Sequence, residues 1–399
     1  MKKIVLSALA ALTLGSVAAN AGVTKLYQDE NGQVFTQPAE GRTLIKTDTP
    51  LFSHSDKLKF SALTYIGYTY DDYDSGLTSD GVTPYKDDTS DFEIRRAYFQ
   101  LKAYLLDDPK SYYRITFDIS KDVTGDEKVR AKYAYLYLND IFTHTGVEIG
   151  LAHRPWHDYE EHNAWFYRSI SKVLIEDKKS GPDLSNSADF GVMFKTRTKY
   201  FDADYGVFNG EGYHSVSNGN GMSFEWRATA HILGVSGKDK QTKKTYWDAS
   251  FYGQYNKGHK TGTLVNGSTE NQDLIFGGLH TVYNQPNFLI AAQYVKSLDT
   301  SDTPYVVSAQ AGEGYSINGE YRMGADKEYR LIARYDAWTK EQAAGTAEPQ
   351  DSSYILGGAW HQNHNLEWVA NVIVTDNDAG NDKEEANGTQ YMVTAEVKF

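Results

Sequence analysis

The chain ends Tyr391-Met392-Val393-Thr394-Ala395-Glu396-Val397-Lys398-Phe399, where odd positions are apolar or aromatic and Thr394, Glu396 and Lys398 fall between them. A period of two is the spacing at which a β-strand sends successive side chains to opposite faces. One face is therefore apolar and the other polar, as a strand needs when one side meets lipid and the other water. The aromatic last residue also resembles the insertion signal of transmembrane barrels.

The other end of the chain agrees with export. Lys2 and Lys3 precede an apolar run from Ile4 to Leu14, and Ala19-Asn20-Ala21 forms an A-x-A cleavage site. Residues 1–21 are therefore expected to be a signal peptide, with an apolar run too short to cross a bilayer as a helix. Removing Lys2 and Lys3 takes the formal charge from −13 to −15. Nothing in the remainder approaches the ~18 apolar residues of a transmembrane helix. With 30 Tyr, 17 Phe, 34 Gly, only 9 Pro and no Cys, the composition suits a barrel with aromatic girdles and a wet lumen. Its acidic balance argues against a nucleic-acid partner. The expected location is the bacterial outer membrane, with membrane lipid as a partner.

Sixteen segments have strand character: 58–70, 91–106, 111–119, 129–139, 145–152, 188–198, 201–208, 222–235, 244–256, 271–283, 287–297, 313–323, 327–338, 352–361, 365–375 and 388–399. The expected fold class is all-β, a sixteen-stranded antiparallel transmembrane β-barrel over 58–399. All nine prolines fall outside the segments, as a missing ladder donor requires. The connections also alternate. Short ones such as 107–110, 284–286 and 362–364 follow even-numbered segments, and long polar ones such as 71–90, 153–187, 209–221, 257–270 and 376–387 follow odd ones. Barrels with tight turns at one rim and long loops at the other show this sorting. Around 274–282 and 354–360 the alternation is poor, and no face is assigned. Residues 22–57 precede the barrel as an N-terminal periplasmic segment. Within it, Lys25-Leu26-Tyr27 and Gln33-Val34-Phe35-Thr36 flank an Asn31-Gly32 turn, a small hairpin.

The third long connection reads His153-Arg154-Pro155-Trp156-His157-Asp158-Tyr159-Glu160-Glu161-His162 and then Trp165-Phe166-Tyr167-Arg168. A loop this long is usually functional or disordered, and its aromatics favour packing. A sixteen-stranded barrel leaves a wide aqueous lumen into which it can fold. Parity places Arg96, Lys102, Arg114, Arg130, Lys132, Lys195, Arg197, Arg227, Arg322, Arg330 and Arg334 inward. The inward acids are Asp118, Glu148, Glu225, Glu320, Asp336, Glu367 and Glu396. The expected pore lining is the first eight of those bases, together with Asp158, Glu160, Glu161 and Arg168 of the loop. Opposed charges across a constriction set up a transverse field, whereas rings of one sign select by ion charge.

Phe92-Glu93-Ile94-Arg95-Arg96-Ala97-Tyr98-Phe99-Gln100-Leu101-Lys102, Val147-Glu148-Ile149-Gly150 with Arg154-Pro155, Arg168, and Gly206-Val207-Phe208-Asn209-Gly210-Glu211-Gly212 resemble the phosphate-selective porin O/P family. The resemblance implies a sixteen-stranded porin that assembles as a homotrimer. It does not carry phosphate selectivity with it, because the chain is acidic overall. The expected function is a water-filled passive diffusion channel for small hydrophilic solutes or ions. The alternative is a barrel whose surface loops act as an adhesin or receptor, its lumen plugged by the third loop.

Catalytic signals are weak. There is no Gly-x-Ser-x-Gly elbow and no phosphate loop, and Ser223 and His231 share a strand too far apart to touch. No cofactor is expected. His153, His157 and His162 with Asp158 and Glu161 offer metal-ligand types, but without the supporting shell of a closed site, so no metal is expected either. Acidic runs such as Asp71-Asp72-Tyr73-Asp74 read as solvated loop charge.

Overall fold

The computed structural model of the chain describes residues 26–29, 33–35, 37–45, 57–74, 87–104, 108, 110–122, 124–214, 221–238, 241–263, 269–298, 311–341, 348–378 and 383–399. The signal peptide expected over 1–21 and the Asn31-Gly32 turn lie outside these residues.

Two compact units divide the chain at Asp56/Lys57. In the first, β1 (Leu26–Asp29) pairs antiparallel with β2 (Val34–Phe35) and with β3 (Arg42–Ile45), a three-stranded sheet in which a third strand joins the hairpin. The Arg42 guanidinium lies 3.4 Å from the centre of the Phe35 ring.

The second unit is one closed barrel of sixteen antiparallel strands, each paired with its neighbours in sequence. They are β4 (Leu58–Tyr73), β5 (Thr89–Ala103), β6 (Tyr112–Lys121), β7 (Glu127–Phe142), β8 (Thr145–His153) and β9 (Ala188–Arg197). Next come β10 (Phe201–Phe208), β11 (Ser223–His231), β12 (Tyr246–Thr263), β13 (Thr269–Gln285) and β14 (Phe288–Leu298). The circuit continues through β15 (Gly312–Met323), β16 (Tyr329–Lys340), β17 (Gln350–Asn363), β18 (Leu366–Asn377) and β19 (Gly388–Lys398). Closure joins β19 to β4, and Phe399 exchanges two 3.1 Å backbone hydrogen bonds with Ala62. The terminal residue thus seals the last edge, which an open sheet would leave unpaired.

Alternation sets the outer face. Leu136, Phe251, Leu279, Ile317, Leu331 and Leu356 are exposed there, an apolar belt that suits lipid. Aromatics gather at both rims. Tyr315, Tyr335 and Tyr354 pack with ring centres 5.7 and 4.7 Å apart at one, and Tyr329, Trp360 and Trp368 are cross-strand partners at the other.

Each expected segment contains a strand, but the ends differ. β12 and β13 continue as a ladder to Thr263 and Thr269, so most of the expected loop 257–270 is hairpin. The added stretch Lys257-Gly258-His259-Lys260-Thr261-Gly262-Thr263 contains no apolar residue, so periodicity cannot mark it. β11 stops at His231, which makes the connection 232–245 the exception among the short turns.

Two β-bulges shift the inward set. Tyr65 faces Arg96 and Ile66 faces Ile94, leaving Arg95 as an extra residue on β5. Likewise Thr116 faces Tyr133 and Phe117 faces Ala131, leaving Lys132 extra on β7. An inserted residue re-aims the side chains that follow it.

Candidate functional site

The loop from Arg154 to Ser187 folds against inward-facing side chains of the barrel. It opens with α1 (Pro155–Asn163), with Pro155 at its first turn, where a missing N–H costs nothing. Arg154 roots it. This buried guanidinium lies 2.7 Å from Glu225 and 3.4 Å from Asp189, and donates to Ser185 Oγ at 2.6 Å. From there the chain crosses to the far wall. Tyr159 OH donates to Asp248 Oδ2 at 2.9 Å and Gln293 Nε2 to Glu160 Oε1 at 2.6 Å. Asn318 Nδ2 donates to the Ala164 carbonyl at 3.1 Å, and Asn377 Nδ2 to the Lys179 carbonyl at 3.1 Å. Ser169 reaches Glu396 on β19 and its carbonyl accepts from Arg95 on β5.

This path splits the inner wall. On β12 to β19 the inward residues Tyr252, Leu274, Phe276, Val295, Ile332, Trp338, Ile355, Val369 and Met392 form one buried cluster with Trp156, Tyr159, Trp165, Ile170, Leu174 and Leu184 of the loop. Trp156 stacks on Tyr252 with ring centres 3.7 Å apart, and Arg334 sits 4.7 Å over Trp165. The poor alternation around 274–282 and 354–360 has its cause here. Both faces of those strands are apolar, one for lipid and one for the loop.

The opposite wall, on β5 to β9, is cationic, and on β5 to β7 its charged heads keep contact with water. Arg95 and Arg96 have side chains 20% and 23% exposed, and Arg96 lies 2.6 Å from Asp118. Lys102, Arg114 and Arg130 are half-buried along the same wall. Tyrosines back these cations: Arg114 lies 4.7 Å over Tyr133 and Lys102 4.6 Å over Tyr112. Such contacts contribute about 0.5–2 kcal/mol each and fix where the charged head sits. Lys172 of the loop, 28% exposed and 3.3 Å from Glu176, acts electrostatically on His214 together with Arg130 and Arg96.

Asp158 sits where α1 meets this wall. Its carboxylate is 3.3 Å from Lys195, 3.2 Å from Lys238 and 3.9 Å from His153. Burial pushes its pKa up, but Lys238 and Lys195 outweigh that and hold it well below the usual carboxylate range. Glu160, two residues further along the helix, behaves oppositely. Burial raises it to about 7, with Asp336 adding to the rise and Arg334 opposing it.

Several expected pore residues are elsewhere. Glu160 points away from the cationic wall, into the packed layer at Gln293. Arg168 is neutralised inside the loop by Glu161 and by Glu176 at 2.8 Å. Arg227 is buried 2.6 Å from Asp204 and 4.7 Å under Tyr159. Lys132 is buried between the rings of Tyr98 and Tyr133, at 4.8 and 5.4 Å. Arg197 is 38% exposed but tied to Asp204 at 2.5 Å. Arg322, Arg330 and Arg334 face inward yet are covered and paired with Glu320, Glu367 and Asp336. In contrast, Arg95, Lys172 and Lys238 reach the lumen without having been singled out from the sequence. A bulge, a loop and a turn carry them, and none of these follows strand parity. The three loop histidines do not converge on one point: His153 Nδ1 lies 3.0 Å from Glu148, His157 faces the Ser185 carbonyl, and His162 the Asp158 carbonyl, although His153 and His162 flank the Asp158 carboxylate at 3.9 and 3.4 Å.

No protein-family model matches the chain, and no curated protein matches it. Solved structures do. The chain is similar to Salmonella typhi OmpF in complex with daunomycin, at 10% identity, covering 87% of this chain and 99% of that one, with a TM-score of 0.58. It is similar to an anion-selective porin from Comamonas acidovorans at 11% identity, 86% and 98% coverage and a TM-score of 0.56. The trimer form of OmpT, an outer-membrane protein of Vibrio cholerae, gives 14%, 86%, 99% and 0.55. At these identities the shared property is the fold, and this chain has the closed sixteen-stranded barrel fold of bacterial outer-membrane porins.

Proposed function

We propose that this barrel is a water-filled passive diffusion channel of the outer membrane for small hydrophilic solutes, with a preference for anions. The observation that carries the reading is the wall of Arg95, Arg96, Lys102, Arg114 and Arg130, part-exposed and backed by tyrosine, facing a loop whose own apolar side is turned away. Fixed cations along a narrow aqueous path raise the local concentration of anions and lower that of cations. The anion-selective porin from Comamonas acidovorans shares the fold and supports the reading by analogy. Kinship with the phosphate-selective O/P family is part of this proposal, since Arg95, Arg96 and Lys102 of the matching stretch all line the wall. Phosphate specificity is not, because Asp118, Glu161 and Asp158 interleave with the bases. Export by the 1–21 signal and assembly as a homotrimer complete the reading, the latter supported by the trimer form of OmpT.

Planar-bilayer recording of folded protein in a salt gradient tests it. Stepwise conductance with a reversal potential of anion-selective sign is expected, and silence would refute the channel. Deleting 155–185 separates it from a plugged receptor barrel. A constricted pore gains conductance from an already conducting state, whereas a plugged one changes from silent to conducting.

A further inference from the structure

The connection 232–245 departs from its neighbours at the same rim. Other turns there, such as 143–144, 198–200, 286–287 and 364–365, close tightly between strands. This one enters the barrel. Val235 packs on the buried cluster of Ala164, Tyr246, Val282, Leu289 and Ala291. Gly237 lies flat on the Tyr246 ring, where any Cβ would collide. The Gln241 carbonyl accepts from Asn284 Nδ2 at 2.9 Å and from Arg322 Nη1 at 3.0 Å, and the Lys244 carbonyl from Asn284 Nδ2 at 2.6 Å. Asn284, Arg322 and Tyr246 are all buried residues of the inner wall. The Gln241 and Lys244 carbonyls are therefore satisfied by inner-wall side chains, as buried backbone groups require.

This placement brings Lys238 to the foot of α1, with its Nζ 3.2 Å from Asp158 Oδ2. Two lysines share that carboxylate, and their circumstances differ. Lys195 is only 11% exposed and also lies 3.0 Å from Glu148. The Lys238 side chain is 48% exposed, so it presents its charge to water. Lys102 lies within its electrostatic reach.

We infer that Lys238, carried into the lumen by the inward-folded turn 232–245, is a selectivity-determining residue of the channel. It stands at the tight-turn rim of the constriction, where an anionic solute meets its charge on leaving toward the periplasm. Through Asp158 it also links the turn to the loop helix, so the constriction is held from both ends of the barrel. This inference rests on the diffusion-channel reading.

The chain has no cysteine, so Lys238→Cys provides a unique thiol. In bilayer recordings the variant is expected to lose part of the anion preference. A sulfonate-bearing thiosulfonate should reduce it further and lower the current in steps. An ammonium-bearing thiosulfonate, which restores the lysine charge, should return selectivity toward that of the unmodified chain. Lys238→Glu should shift the reversal potential in the cation direction and make the current–voltage curve asymmetric, since the charge sits at one end. Lys238→Gln, with the smallest change in shape, guards against a folding defect and should show the same sign. Unchanged reversal potential in all three variants, or a thiol in the Lys238→Cys variant that neither reagent modifies, would overturn the inference. Failure of the channel reading looks different, because the unaltered protein would then be silent.

Discussion

The two halves of the inner wall have similar backbones and opposite solvents. On β12 to β19 the inward positions are dry, because the long loop lays Trp156, Trp165 and Leu174 across an apolar cluster whose neighbouring charges, such as Arg322 with Glu320 and Arg334 with Asp336, are buried in pairs. On β5 to β7 cationic heads stay part-exposed, and the loop meets that wall through polar contacts such as Arg95 to the Ser169 carbonyl rather than through its apolar side. Barrel geometry alone does not distinguish the halves. The side on which the loop packs decides which wall becomes core and which remains channel. Burying one loop face against the wall follows the rule that apolar area leaves water wherever a partner exists.

The largest expected effect comes from releasing the loop at its root. Arg154→Ala would leave Asp189 and Glu225 as buried carboxylates without their cation, a loss of about 3–5 kcal/mol. Urea unfolding in lipid vesicles should register it, along with noisy, larger conductance. A loss below about 1 kcal/mol would mean that the apolar layer alone holds the loop.

Acidity acts on the dry half through Glu160. Its pKa in the folded chain, about 7, lies above the ordinary value of about 4.3 because burial disfavours the charge. Its contribution is complete below about pH 4 and is lost as pH rises through about 7. Loop docking should therefore weaken by up to about 3 kcal/mol between about pH 5 and about pH 8.5. Arg334 and Asp336 face the same carboxyl, and Glu160→Gln should flatten the pH dependence while keeping the contact to Gln293. Equal pH dependence in both proteins would remove Glu160 as the cause.

Smaller effects belong to the wet half. Arg130 is half-buried and lies 3.3 Å from a ring nitrogen of His214. Arg130→Glu should lower the anion-to-cation permeability ratio roughly two-fold, or about 0.4 kcal/mol, with little change in stability. A ratio that does not move would place Arg130 outside the path. At the outer rim Lys296 and Glu313 form a pair 3.2 Å apart, both half-exposed. Lys296→Ala should leave both stability and selectivity unaltered, since an exposed pair is screened by solvent. A measurable selectivity shift would show that charges beyond the wall contribute.

The barrel itself was legible in the sequence because lipid and water impose a period of two on most strands. That period located sixteen strands and the loop between β8 and β9. It failed where a third environment intervened. Leu274, Phe276, Ile355 and Ala359 face the loop rather than water, so their strands carry no alternation. Parity also cannot anticipate an inserted residue, so it marks Arg96 as inward but not Arg95 beside it. Among the loop charges, residue type identified candidates without direction. Asp158 faces the cationic wall and Glu160, half a turn away, faces the core, a difference set by which side of α1 meets which wall. The inward turn at Lys238 carries no signal in the sequence, because its placement depends on contacts with Tyr246, Asn284 and Arg322 far along the chain.

The division of the lumen is tested most directly by single cysteines in a chain that has none. Substituting Lys102 and Arg114 on one wall, and Val295, Ile355 and Val369 on the other, allows a charged thiosulfonate to probe each in the folded protein under voltage. Modification with a change in current at 102 and 114, and none at 295, 355 and 369, is the predicted result. Equal modification of both sets would show water on both sides of the loop and contradict the account.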